Sequence, residues 1–347
     1  MVALILLSSV VVRWPDAGRI AYRGVGPNVW KEAMALERDS LRLCHGISFS
    51  RHDPAPVLRL RKGTEWINEP LELGRTMALE VGVQRWCLGH VLMDSDGTRR
   101  HNVCTHSRVI ASGTQCATCR RLDQTKFMHH FHKTGQAPEG LRRYLEQPHL
   151  LYIASFADGT TKVGTASEQS KWSRLATQGA VIARYVAHAP DGAAVRVLED
   201  LVTEQCGIRQ QVRQKAKIRG LESWDHNLAS LEELNRAAAR AVHRMLESQR
   251  GLARYGITLL DELWRQPTYA QQVVNAWDAR SIHRKDPAIP GGEGISLRIH
   301  GVLGQTLMID TGEHTELVLL DLAELKTRAL VLRQAHFVDH GGQASLF

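Results

Sequence analysis

Three of the six cysteines in this 347-residue chain fall where their spacing carries chemistry. The string CTHSRVIASGTQCATC puts Cys104, His106, Cys116 and Cys119 in a window of 16 residues. Two thiolates in a Cys-x-x-Cys turn reach one tetrahedral ion from the same side, and Gly113 just ahead supplies backbone freedom. The expected ion is zinc, with Cys104 as third donor and His106, Cys87 or one of His129, His130 and His132 as fourth. A site closed by four protein ligands is structural, because no position is left at which zinc could activate water. A redox dithiol is the alternative reading of the pair. Cys44 and Cys206 stand alone and read as small buried apolar residues.

A second set lies downstream. LLYIASFADGTTKVGTASEQSKWSRLATQGA carries Tyr152, Lys162 and Arg174, and VRVLEDL carries Glu199. These types suit phosphate esters: an Arg fork matches phosphate oxygens two at a time, and a carboxylate holds a hard cation. Their order and spacing over about 149 to 206 resemble the GIY-YIG nuclease superfamily. LLY (150 to 152) corresponds to the GIY element, KVG (162 to 164) follows ten residues later in the place of YIG, and Arg174 stands ten residues after Gly164. The resemblance implies a small α/β domain and a metal-dependent phosphodiesterase. In that chemistry Glu199 holds magnesium or manganese, Arg174 neutralises charge on the pentavalent phosphorus, and Tyr152 positions or activates the nucleophile.

Lys162 departs from the pattern by replacing the family's second tyrosine, taken as its general base. A lysine acts as base only if its pKa falls by several units; otherwise it holds phosphate and repels a metal ion. A catalytically inactive nucleic-acid-binding or adaptor protein with structural zinc is therefore the alternative. The cysteine cluster, KVG, KWSRLATQGA and GVLGQTLMID are also similar to a poorly characterised bacterial and archaeal family of unknown function.

After Cys206 the segment IRQQVRQKAKIRG places Arg209, Arg213, Lys215, Lys217 and Arg219 together with no acid among them. With a net charge of +8 and a pI near 9.3, the chain favours an anionic partner, and DNA or RNA leads. Trp172 and Trp224 flank this region as candidates for base stacking.

The elements that must position these residues read as an α+β multidomain protein, since the length exceeds one ordinary core. The expected order is a β-rich zinc-binding module over 1–125, a connector over 126–148, a GIY-YIG-like α/β domain with a helical extension over 149–250, and a helix plus small β module over 251–347. LLYIASF and KVG predict a hairpin, and helices are expected over Ser170–Gln178, Ala193–Cys206 and Leu228–Leu246, the last with Ser230 before Glu232 and Glu233 as its start signal. A further helix is expected from Gly251 to about Trp277. PGGEG (290–294) then interrupts, and ISLRIHGVLGQTLMID and ELVLLDL read as strands joined through Thr311 and Gly312. The apolar run Val2–Val12 is far shorter than the roughly 20 residues of a spanning helix and reads as a strand. Clustered cysteines suggest metal ligation rather than disulfides, so a cytoplasmic, membrane-free protein is expected.

Overall fold

The computed structural model describes residues 41–224, 227–249, 251–276, 294–311 and 317–333. The larger of its sheets gathers strands from both ends of that range. Its first part is β1 (Arg42–Ser48), β2 (Val57–Lys62), β3 (Glu65–Pro70) and β4 (Thr76–Arg85). The second part is β11 (Gly294–Leu303), β12 (Thr306–Asp310), β13 (Val318–Asp321) and β14 (Arg328–Arg333). The order is β13-β12-β11-β4-β14-β1-β2-β3. β4 pairs antiparallel with both β11 and β14, so residues placed by linear order in an N-terminal and a C-terminal β module form one sheet. Met77, Leu79 and Val81 alternate inward along β4, the period-two pattern of a strand with one face on a core.

Between those halves the chain first makes the hairpin β5 (His90–Met93) and β6 (Arg99–Asn102), closed at the expected turn by Gly97 N–H donating to Asp94 O at 2.8 Å. The expected connector is ordered. A 3-10 turn and the short helices α1 (Ala117–Leu122), α2 (Phe131–Thr134) and α3 (Glu139–Leu145) follow the hairpin. Met93, Leu141 and Leu145 form a small core there, with Phe127 and Phe131 packed on it.

The second sheet comprises β7 (His149–Ser155), β8 (Thr161–Ser167), β9 (Ile182–Ala189) and β10 (Thr258–Leu263), in the order β10-β9-β7-β8. Helices α4 (Lys171–Gln178), α5 (Gly192–Cys206) and α7 (Leu228–Ser248) pack on it, α6 (Gln214–Glu222) lies between α5 and α7 in the chain, and α8 (Thr268–Ala276) packs on β11 of the larger sheet. β7 is buried at every position, as a central strand covered on both faces must be. Leu151 and Ile153 share a core with Val195 and Leu198 of α5 and Val242 of α7. Leu150, Tyr152 and Ala154 point into the other core, which also takes in Leu175 of α4 and residues of the larger sheet.

The expected hairpin and the first three helices are present. Asn227, rather than Ser230, caps α7 by accepting from Ser230 N. The helix expected from Gly251 to Trp277 is replaced by a 3-10 turn (Leu252–Tyr255), β10 and α8. Residues 258–263 complete backbone pairing along β9, and that partner overrides the helix propensity of their Leu and Glu residues. Trp277, Val2–Val12, Gly312 and residues 290–293 of PGGEG lie outside the described residues. No helix among the described residues is long and apolar enough to cross a membrane.

Candidate functional site

The sulfur atoms of Cys87, Cys104, Cys116 and Cys119 lie within 4.8 Å of one another, and all four thiols are free. Cys87 follows β4, Cys104 follows β6, and Cys116 is the N-cap of α1, which carries Cys119. The Cys87 sulfur accepts backbone N–H groups from Gly89 at 3.4 Å and Cys116 at 3.1 Å, which ties its loop to the start of α1. Burial pushes the Cys87 and Cys119 thiols up, while the Cys119 backbone N–H brings Cys116 down to about 7. Four sulfurs this close cannot all ionise without a cation among them, and the group can hold a metal ion.

Cys87 is thus the fourth member of the group. His106 is exposed and outside it, which corrects its place in the expected ligand set. His132 instead meets Asp200 at 3.1 Å, His130 is exposed, and the side chain of His129 is outside the described set. Gly89 sustains the first loop at φ +86°, where a Cβ would sit 2.0 Å from the Asn102 carbonyl oxygen. Gly89→Ala is expected to lower stability by roughly 2–3 kcal/mol and to weaken metal retention, as denaturant titration with metal analysis would read.

The four residues of the downstream set come together. Register places Tyr152 opposite Gly164 and Ala154 opposite Lys162, so Lys162 stands one pleat from Tyr152 on the same face. The Lys162 ammonium lies 5.8 Å from the centre of the Tyr152 ring. Gly164 makes this possible, because a Cβ there would be 2.4 Å from the Tyr152 hydroxyl. Gly164→Ala is expected to displace the ring and cost about 1–3 kcal/mol, read from the urea midpoint.

Arg174 on α4 and Glu199 on α5 both act on Tyr152 and on Lys162. Burial raises the Tyr152 phenol and Arg174 pulls against it. Lys162, only 5% exposed, is lowered to about 8 by burial and then by Arg174, with Glu199 opposing. Its ammonium has no hydrogen-bond acceptor among the described residues, and Arg174 has no carboxylate within ion-pair distance there. Glu199 is engaged: Arg196 Nη1 donates to its Oε2 at 2.6 Å. A divalent ion would have to open that pair and face Lys162 and Arg174, so these groups suit an anion better than a magnesium or manganese ion.

The basic segment runs beside this group of residues. Val163 N donates to Arg209 O at 3.0 Å, pinning the segment to the edge of β8 next to Lys162. Arg209, Arg213, Lys215 and Arg219 are exposed. Lys217 is a correction to the expected basic face, because it turns inward, donates to Gln178 O at 2.6 Å and lies 4.5 Å above the Phe156 ring. Burial, then Lys162 and Arg174, lower it to about 7. Trp224 is buried in the core and Trp172 donates to Arg265 O beside Trp264, so neither forms an open stacking platform. Arg196 and Lys217 are additional members of the pocket. Arg196 had a signal, since it lies three residues before Glu199 on one helix face.

Comparison with curated proteins and with solved structures gives no match. The family described as a protein of unknown function, DUF2797, matches residues 74–322. That span holds all four clustered cysteines, the pocket around Lys162 and the basic segment, and it covers well over half of the sequence. The chain therefore belongs to the DUF2797 family of proteins of unknown function.

Proposed function

We propose that this protein binds nucleic acid by its phosphates, with the pocket of Lys162, Arg174 and Lys217 as a phosphate site and zinc as a structural ion. The observation that carries the reading is Lys162, a residue only 5% exposed whose ammonium has no acceptor among the described residues, near the exposed Arg174, which has no acid partner among them either. Desolvating a cation is costly unless an anion meets it, and phosphate supplies several acceptors at once. The divergent likeness to GIY-YIG nucleases supports the same ligand class. Zinc suits the cysteine group, because four ligands at about 2.3 Å from a tetrahedral ion stand about 3.8 Å apart, inside the observed 4.8 Å limit. His106 has no part in that site.

A second reading, a phosphodiester hydrolase, is favoured by Lys162 itself, whose pKa of about 8 leaves a fraction neutral near pH 7. A neutral amine there would take the proton of a water attacking phosphorus. Arg174 would stabilise the added charge, and the leaving oxygen would depart with a proton from solvent. Labelled single-stranded, duplex and structured DNA and RNA, incubated with magnesium, manganese or EDTA, separate the two readings. Binding without cutting supports the phosphate-binding reading; cutting lost in Lys162→Met and Arg174→Gln supports the hydrolase; absence of binding to every substrate at low salt defeats both.

A further inference from the structure

Some charged surfaces on this protein neutralise themselves. On α7, Arg236 and Arg240 pair with Glu232 and Glu233 at 2.6–3.1 Å, and Lys133 pairs with Asp200. One groove instead gathers cations on two facing walls. A cleft of about 550 Å³ separates α6 from the larger sheet, and its walls carry Arg213, Lys215 and Arg219 on one side and Arg85 and Arg328 on the other. None of these five cations is ion-paired among the described residues.

The sheet-side arginines are held in place by neutral groups. Arg85 donates to Thr327 Oγ1 at 2.9 Å and to Gly113 O at 3.0 Å, while Arg328 donates to Gly82 O and Val83 O, each at 3.1 Å. These bonds orient the guanidinium groups without cancelling their charge. Two acids also line the cleft. Asp321 is committed to capping a turn through Ala323 N, and the Glu324 carboxylate is exposed. No aromatic side chain lines it, so nothing there would stack bases.

The cleft also leads toward the pocket. Gln214 lines it, donates to Thr306 Oγ1 at 3.2 Å, and borders the small hollow that contains Lys217 and Gln178. Lys217 in turn acts electrostatically with Lys162 and Arg174.

We infer that this cleft is a track for the phosphate backbone of single-stranded nucleic acid, delivering one phosphate toward Lys162; the inference rests on the nucleic-acid reading above. Two facing walls of cations would grip the phosphates of one strand from both sides. Recognition through phosphates alone makes binding independent of sequence and steeply dependent on salt.

The test is fluorescence anisotropy of a labelled twelve-nucleotide single strand, titrated over a series of salt concentrations. Wild type is compared with Arg85→Gln/Arg328→Gln, with Arg213→Gln/Lys215→Gln and with Lys162→Met, each first checked by thermal melting. Each double variant is expected to lower the log–log salt slope by about 1.4, because single strands release about 0.7 counterion per neutralised phosphate. Affinity should fall about tenfold or more at low salt. If wild type binds and Lys162→Met weakens binding while both double variants keep the wild-type slope, the track is wrong and the pocket reading survives. If wild type binds no strand at all, the nucleic-acid reading falls and the track with it. A duplex that competes as well as the single strand overturns the single-strand assignment. Should the sheet-side pair fail to fold, the helix-side pair, exposed on α6, decides alone.

Discussion

Cys116→Ser is expected to abolish metal retention and to unfold the loops that carry the four clustered cysteines. The reason lies in what the cysteine-bearing loops have for a core, apart from the Met93–Leu141–Leu145 core under the hairpin: Cys87, Cys104, Ile110, Cys116 and Cys119, of which all but Ile110 are the clustered thiols. Without an ion the cluster is four buried sulfurs around one aliphatic side chain, too little to offset the entropy of ordering its loops. Apparent binding energies for structural zinc in small peptides are about 10–16 kcal/mol, so loss of one ligand should remove several kcal/mol of local stability. Metal analysis of purified protein should show about one zinc per chain in the wild type and much less in the variant. Chelation should mimic the substitution. A variant that keeps both the metal and the wild-type melting curve would remove the cluster from its assigned role.

The second large effect is a rise of stability with pH on the alkaline side. Lys162 and Lys217 have folded pKa values lowered to about 8 and about 7, against an unfolded value near 10.4. Between those values the unfolded chain binds more protons than the folded one, so unfolding becomes harder as pH increases. Below about pH 7 both states carry the charge and the full penalty is present; above about pH 10.5 it is gone. For Lys162 the penalty is roughly 3 kcal/mol at neutral pH, and Lys217 adds a comparable, coupled amount. Lys162→Met should therefore melt higher than wild type at pH 7 and flatten the climb between pH 8 and 10. Added polyphosphate should raise the wild-type midpoint at pH 7, where Lys162 is mostly charged and Lys217 about half charged, and raise that of the Met variant by less. A wild-type stability that is flat from pH 7 to 10 contradicts the burial of these lysines.

A stable pocket that is costly to keep charged is a reasonable sign of binding, because natural cores seldom retain such groups without use. It is also the part of the site that local sequence could not fully announce. Tyr152, Lys162, Arg174 and Glu199 were legible because strand, turn and helix signals there agree with one another, and the short hairpin fixes which residues share a face. Lys217 was read as one of a row of exposed cations. Its inward turn depends on Gln178 and Phe156, contributed by other elements, and helix periodicity on a charged segment gives no warning of that.

The metal group shows the same boundary. Cys116 and Cys119 are local and were plain, but choosing Cys87 over His106 required knowing that the end of β4 returns beside α1. The largest departure is the sheet shared by residues 42–85 and 294–333. Each strand is visible by alternation, yet nothing in a strand states which distant partner completes its ladder, and β4 found partners more than two hundred residues away. The same long-range rule turned residues 258–263 from an expected helix into β10.

The central claim is that phosphate of a nucleic acid sits against Lys162 and Arg174. Its most direct test is the equilibrium affinity of wild type and of the Lys162→Met/Arg174→Gln double variant for one labelled single strand at fixed low salt, with folding verified by melting. The expected result is a loss of at least tenfold in the double variant, about 1.4 kcal/mol. Equal affinity of the two folded proteins would contradict it.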